Sequence, residues 1–258
     1  MKAIYITIFI LISMPFIGCE TDNNNQKVVI YAASSISDLL TESYEIFNQN
    51  NDIDISFNFG GSISLANQIS KFESPADGVI FIGEKPIRIL EDNNLIDYEY
   101  RYKFLTNKLA FVGYKNSKPI DNLSELLLQS KKRIIIADPA LAPLGIYSKE
   151  ILSSNNMYNQ LEKNLILASD AKSVLRSLEN HNADYGIIYY SDFLLSKNLV
   201  HYGQIEEVSQ YSVDYYMHVM KNTKNKIQAN LFLQFLAKSD DANLLELITS
   251  RGLSRIKK

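Results

Sequence analysis

The chain of 258 residues has one cysteine, no tryptophan, three histidines and six prolines. A single cysteine excludes an internal disulfide and any zinc site built on cysteine pairs. His181, His201 and His218 stand apart, and none falls in the His-Glu-x-x-His spacing that puts two metal ligands and a base on one helix face. No phosphate-binding Gly-Lys-Ser loop and no dinucleotide fingerprint is present. Gly61-Ser62-Ile63-Ser64 lacks the closing glycine of a nucleophile elbow, so a serine hydrolase has no evident nucleophile. Neither sign of charge dominates: 26 basic residues face 29 acidic ones, interspersed, for a net charge of −3. That balance excludes the basic footprint of a nucleic-acid binder. It leaves room for a small anion held by local dipoles. The expectation is a binding protein, not an enzyme, with no cofactor and no bare metal ion.

Long apolar runs are also missing, except at the start. Met1-Lys2 gives a short positive beginning, and Ile4 to Ile17 is almost continuously apolar. Such a core is short for a membrane span and has the layout of a secretory signal. Gly18-Cys19 follows it, and a small residue before cysteine at that point resembles a bacterial lipoprotein cleavage box, with Phe16 where leucine is usual. The resemblance implies a signal peptide of residues 1–18 and lipid attachment at Cys19. An ordinary signal peptide, or an uncleaved anchor with Cys19 incidental, is the alternative. Residues 19–26 are polar and asparagine-rich, and read as a tether.

With 46% hydrophobic residues, the body can bury a sizeable core. Its pattern alternates strands and helices. Val28 to Ala33, Gly78 to Ile82 and Gly186 to Tyr189 are short apolar runs suited to buried parallel strands, and Arg133 to Ala137 and Leu165 to Ala168 also read as strands. Ile53 to Phe59 alternates with period two, and Leu105 to Tyr114 and Val213 to Met220 also read as strands. Helical spacing predicts helices after Ser35, from Leu65 to Phe72, Pro86 to Asn93, Ile120 to Gln129, Ile146 to Leu152, after Ser169-Asp170, and over Ile227 to Leu236 and Ala242 to Arg251. Ser35 with Asp38 fits a capping box. The order is that of an α/β protein.

Small or hydroxyl residues gather at four strand-to-helix junctions: Ser34-Ser35, Gly61-Ser62, Pro143-Leu144-Gly145 and Asp170-Ala171. Ligands of open α/β sheets sit beyond the carboxyl ends of strands, where helix starts offer unpaired N–H groups and a positive dipole end. A fifth strand ends at Tyr189, whose hydroxyl is a further donor. Taken singly, each serine is also what a plain helix cap looks like, worth about 1 kcal/mol. Asp138, Asp170, Asp184 and Asp192 lie near loops and read as turn or cap residues. If the junctions converge, they form a pocket of neutral donors for a deprotonated tetrahedral dianion.

Five blocks occur in order: Ala32-Ala33-Ser34-Ser35-Ile36; Gly61-Ser62 with Leu65-Ala66-Asn67-Gln68-Ile69; Pro75-Ala76-Asp77; Asp138-Pro139 through Pro143-Leu144-Gly145-Ile146-Tyr147; and Ala183-Asp184-Tyr185-Gly186-Ile187-Ile188-Tyr189 with Ser191-Asp192. Together they resemble the periplasmic molybdate-binding proteins of ABC importers, over about Lys27 to Arg255. The resemblance implies a two-lobed type II periplasmic-binding-protein fold, each lobe a mostly parallel sheet flanked by helices, with the ligand cleft between lobes. It implies lobe 1 from residues 27–106 and 214–258, and lobe 2 from 107–213. It places ligand contacts on the hydroxyls of Ser35, Ser62 and Tyr189 and the N–H groups of Leu144 and Ala171. The implied ligand is molybdate or tungstate, and the implied partners are an ABC permease and, through the lipid, a membrane, with the protein acting as a monomer. Sulfate or another small anion, or a sensory or adhesive lipoprotein on the same fold, are the alternative readings. Growth with labelled palmitate should mark the wild-type protein and leave Cys19→Ala unmarked; equal labelling would remove Cys19 as the anchor.

Overall fold

The computed structural model describes residues 27–128, 132–203, 208 and 212–256. The predicted signal peptide, Cys19, the tether and Gln129 lie outside them. In chain order the elements are β1 (Val28–Ala33), α1 (Ser37–Asn48), β2 (Ile55–Gly60), α2 (Ser62–Phe72), β3 (Gly78–Ile82), α3 (Glu84–Asp92) and β4 (Ile96–Tyr114). Next come α4 (Glu125–Leu128), β5 (Ile134–Ala137), α5 (Pro143–Ser154), α6 (Tyr158–Leu161), β6 (Leu165–Ala168), α7 (Ala171–Glu179), β7 (Tyr185–Tyr189), α8 (Tyr190–Leu195) and β8 (Leu199–His201). β9 (Ser212–Met220), α9 (Lys226–Lys238), α10 (Ala242–Ser250) and β10 (Ser254–Arg255) close the chain.

The strands run β2-β1-β3-β9-β4-β7-β5-β6, with β10 and β8 added along β4. β1 pairs parallel with β2 and β3, and β5 pairs parallel with β6 and β7. The connecting strands are antiparallel: β9 to β3 and β4, and β4 to β7 and β8. β4 is the long member. It pairs with β9 as far as Lys108 and with β7 from Leu109. One strand therefore serves two lobes. Because β4 continues upward from the first into the second, and β7 runs back against it, the carboxyl ends of the two parallel sets point toward each other.

The first lobe is buried on both sheet faces, as parallel strands require. Tyr31, Val79 and Phe81 pack under Leu65, Ala66, Ile69, Ile87 and Leu90 of α2 and α3. The alternate residues Ile30, Ala32, Ile80 and Ile82 pack toward α1, α9 and α10. Phe232 of α9 is fully buried there and meets Tyr44, Phe47 and Phe57 with ring centroids 6.4, 5.3 and 5.8 Å away.

Several local readings change; the helix expected over Ile120 to Gln129, for one, is described only as the single turn Glu125–Leu128. Ser35 is not a side-chain cap: Ser34–Ile36 form one 3-10 turn ahead of α1, and no side chain caps either start. α5 begins at Pro143, three residues before the periodic apolar pattern, because proline at the first helical turn sacrifices no hydrogen bond. β4 begins nine residues before Leu105, its exposed first half alternating too irregularly to read as a strand. Among the described residues, no helix is long and apolar enough to cross a membrane. Phe232→Ala should cost about 3–5 kcal/mol in chemical denaturation, the range for an aromatic removed from a packed core; a loss under about 1 kcal/mol would mean that this cluster collapses freely.

Candidate functional site

Register brings the junctions together. Ala33 pairs with Gly60, so β1 and β2 end level and deliver Ser34-Ser35 and Gly61-Ser62 side by side. Ala137 pairs with Ala168, so β5 and β6 deliver the 138–142 loop and Asp170 side by side. The two pairs face each other across the cleft. A cavity of only about 10 Å³ lies between them, far below the range of metabolite-sized pockets. Its walls are Ala33, Ser34, Ser35, Gly60, Gly61, Ser62, Ile82, Ala142, Pro143, Leu144, Ala171 and Tyr189, none of them charged. All five positions expected to contact the ligand, Ser35, Ser62, Leu144, Ala171 and Tyr189, line this one cavity.

Each can donate. Leu144 and Ala171 lie in the first turns of α5 and α7, where backbone N–H groups have no partner within the helix. Ser62 Oγ accepts the Ile82 N–H at 3.3 Å, which leaves its own proton to donate. Tyr189 is fully buried, and its hydroxyl is hydrogen-bonded to no atom of the described residues. Burial drives its ionisation far above the usual tyrosine range, so it is a neutral O–H donor. Ser34 is different. Its hydroxyl donates to Asp170 at 3.1 Å and is committed to the opposite lobe. Burial alone would raise the Asp170 carboxyl, but hydrogen bonds from Ser169, Ser173 and Ser34 outweigh it and hold the group ionised below the usual range. Asp170 is also the side-chain cap of α7, as the sequence suggests.

The lobes are closed on each other. The Ser64 N–H donates to the Leu141 carbonyl at 2.9 Å. Lys172 of α7 reaches Asp38 of α1 at 2.7 Å and Asp192 of α8 at 3.1 Å. The cation nearest the cavity in sequence is thus neutralised by two carboxylates. Nothing in the spacing of Lys172, Asp38 and Asp192 along the chain signalled this bridge. Nor did it signal Asn107 and Tyr215, which lie on the crossover strands behind Ser35. Among the described residues, no group of three or more His, Cys, Asp or Glu is gathered as for a metal ion.

A closed two-lobed body around a small neutral-walled cavity defines a solute-binding protein. The chain belongs to the family of bacterial extracellular solute-binding proteins, which matches it over residues 28–246. It is 30% identical to the molybdate-binding protein ModA of Escherichia coli K12 over 77% of this chain and 79% of that one. It is 27% identical to YvgL of Bacillus subtilis 168, provisionally named an ABC transporter substrate-binding lipoprotein, over 92% of this chain and 91% of that one. Its fold matches the periplasmic molybdate-binding protein of Azotobacter vinelandii with a TM-score of 0.75 at 16% identity, over 90% of this chain and 99% of that chain.

Asp192 makes the stability of the fold depend on pH. Its burial raises the carboxyl to about 6, although Lys172 pulls the other way. An acid that binds its proton more tightly when folded stabilises the fold at low pH and loses that contribution as pH rises through the window between its unfolded and folded values. Here the window runs from about pH 4 to about pH 6. The melting temperature of Asp192→Asn, taken relative to wild type, should therefore climb as pH rises across that window. A flat difference would show that folding leaves the Asp192 carboxyl unshifted.

Proposed function

We propose that this chain captures molybdate, and tungstate with it, outside the cytoplasmic membrane and presents it to an ABC permease. The carrying observation is the uncharged cavity that Ser35, Ser62, Leu144, Ala171 and Tyr189 line together. Hydroxyl and backbone N–H donors suit an ion that brings charge and four acceptor oxygens but no proton. Spreading two negative charges over many dipoles needs no cationic side chain. The space between the helix starts is too tight for a metabolite-sized solute, which favours a small ion. The names of the E. coli and A. vinelandii relatives support the same ligand. The name of the B. subtilis relative supports a permease partner and a lipid anchor at Cys19. The proposed lobes, 27–106 with 214–258 and 107–213, close around the ion as a monomer, and the closed form is what the permease reads.

Titration calorimetry with molybdate, tungstate, sulfate and phosphate tests this reading. Heat and a raised melting temperature are expected with the first two ions. Silence with both would sink the assignment, and heat with sulfate alone would move it to a smaller anion. Ser62→Ala should weaken molybdate binding by roughly 1–3 kcal/mol, the scale of a hydrogen bond to a charged partner.

A further inference from the structure

Behind Ser35, away from the cavity, a chain of polar side chains runs along the two crossover strands. Ser35 Oγ and Tyr215 Oη are 2.8 Å apart, both buried. Either could donate, and the next group decides which one does. Asn107 sits on β4 and is buried. Its Oδ1 accepts the Lys108 backbone N–H at 2.8 Å. A backbone N–H can only donate, so the oxygen must face it and the amide nitrogen must face the other way. That nitrogen has two protons. One goes to Ser191 Oγ at 2.9 Å and the other to Tyr215 Oη at 3.3 Å. The Tyr215 phenol oxygen thus accepts a hydrogen bond from Asn107. Among the described residues, the acceptor left for its own proton is Ser35. Burial keeps the phenol neutral, its ionisation pushed well above the usual range, so that proton is always present.

Ser35 therefore receives a hydrogen bond from behind, and its single proton points to the cavity. Ser62 is set in the same way by the Ile82 N–H. We propose that Tyr215 and Asn107 are positioning residues that lock the Ser35 hydroxyl as a donor, so that the cavity accepts fully deprotonated oxyanions and rejects those that carry a proton. An oxyanion with an O–H facing Ser35 would set donor against donor and bury an unmatched proton. The inference rests on the oxyanion reading given above and adds to it the source of discrimination, which lies outside the cavity wall.

The test uses the whole protein at pH 8, with molybdate as the proton-free probe and phosphate as the probe that carries a proton. Wild type is expected to bind molybdate and ignore phosphate. Tyr215→Phe frees Ser35 to accept as well as donate. It should weaken molybdate about 10-fold or more, with phosphate binding held or improved, so that the ratio narrows. Because Tyr215 acts through Ser35, the double variant Ser35→Ala with Tyr215→Phe should bind molybdate no worse than Ser35→Ala alone. Unchanged molybdate affinity in Tyr215→Phe overturns the proposal. So do equal losses for both ions with additive effects in the double variant, since these would mark a packing role. Should Tyr215→Phe melt before assay temperature, Asn107→Asp carries the same test. Its carboxylate draws the phenol proton away from Ser35, and wild-type affinity there would equally overturn the relay. Wild type that binds none of the oxyanions would instead bring down the functional reading beneath it.

Discussion

A methyl group on Gly61 would sit 2.5 Å from the Leu141 carbonyl oxygen and 2.8 Å from that of Ser169. Both carbonyls belong to the opposite lobe. This approach of backbone to backbone is the constraint on which the cavity depends. It sets the gap between the helix starts of the two lobes, and so the size of what they enclose. It also explains why the neighbouring Ser64 N–H can reach Leu141. A side chain at residue 61 would hold the lobes apart and leave the donors of each facing water.

Around that contact, polar groups divide into two kinds. Some join the lobes: Ser34 with Asp170, and Lys172 with Asp38, while Asp192 holds the same lysine from within the second lobe. Others are held back with a free proton: Ser62, Tyr189 and the first N–H groups of α5 and α7. Two adjacent serines illustrate the division. Ser34 is used by the protein for itself, whereas Ser35 is backed by Tyr215 and kept available. The charges stay with the first kind, so the wall of the cavity remains neutral.

Much of this was legible in the sequence because it is local. Runs such as Val28–Ala33 and Gly78–Ile82 need only a few residues to declare themselves buried strands. Proline, serine and glycine at the junctions mark helix starts for reasons that act within one turn. What escaped is long-range or ambiguous over short distances. The capping-box spacing at Ser35 was real, yet the hydroxyl found a better partner 180 positions away. Asn107 is an ordinary residue in a strand until β9 lies beside it. Lys172, Asp38 and Asp192 have no spacing rule, since α7 and α8 meet only in the folded second lobe and α1 joins them only when the lobes do. Short pieces such as α6, α8, β8 and β10 carry too few residues to show a period.

The order of the sheet has a consequence for how the chain is made. β9 lies between β3 and β4, although it comes long after both in the chain. Until Ser212–Met220 emerges from the ribosome, β3 and β4 have no strand to join them, and α9 and α10 are not yet available to cover the sheet. The first half of the polypeptide therefore waits, with one face of its sheet uncovered, for nearly the last. Such distant pairing is slow to form. Under the export proposed above, that delay suits passage through a membrane as an extended thread, with folding completed on the far side.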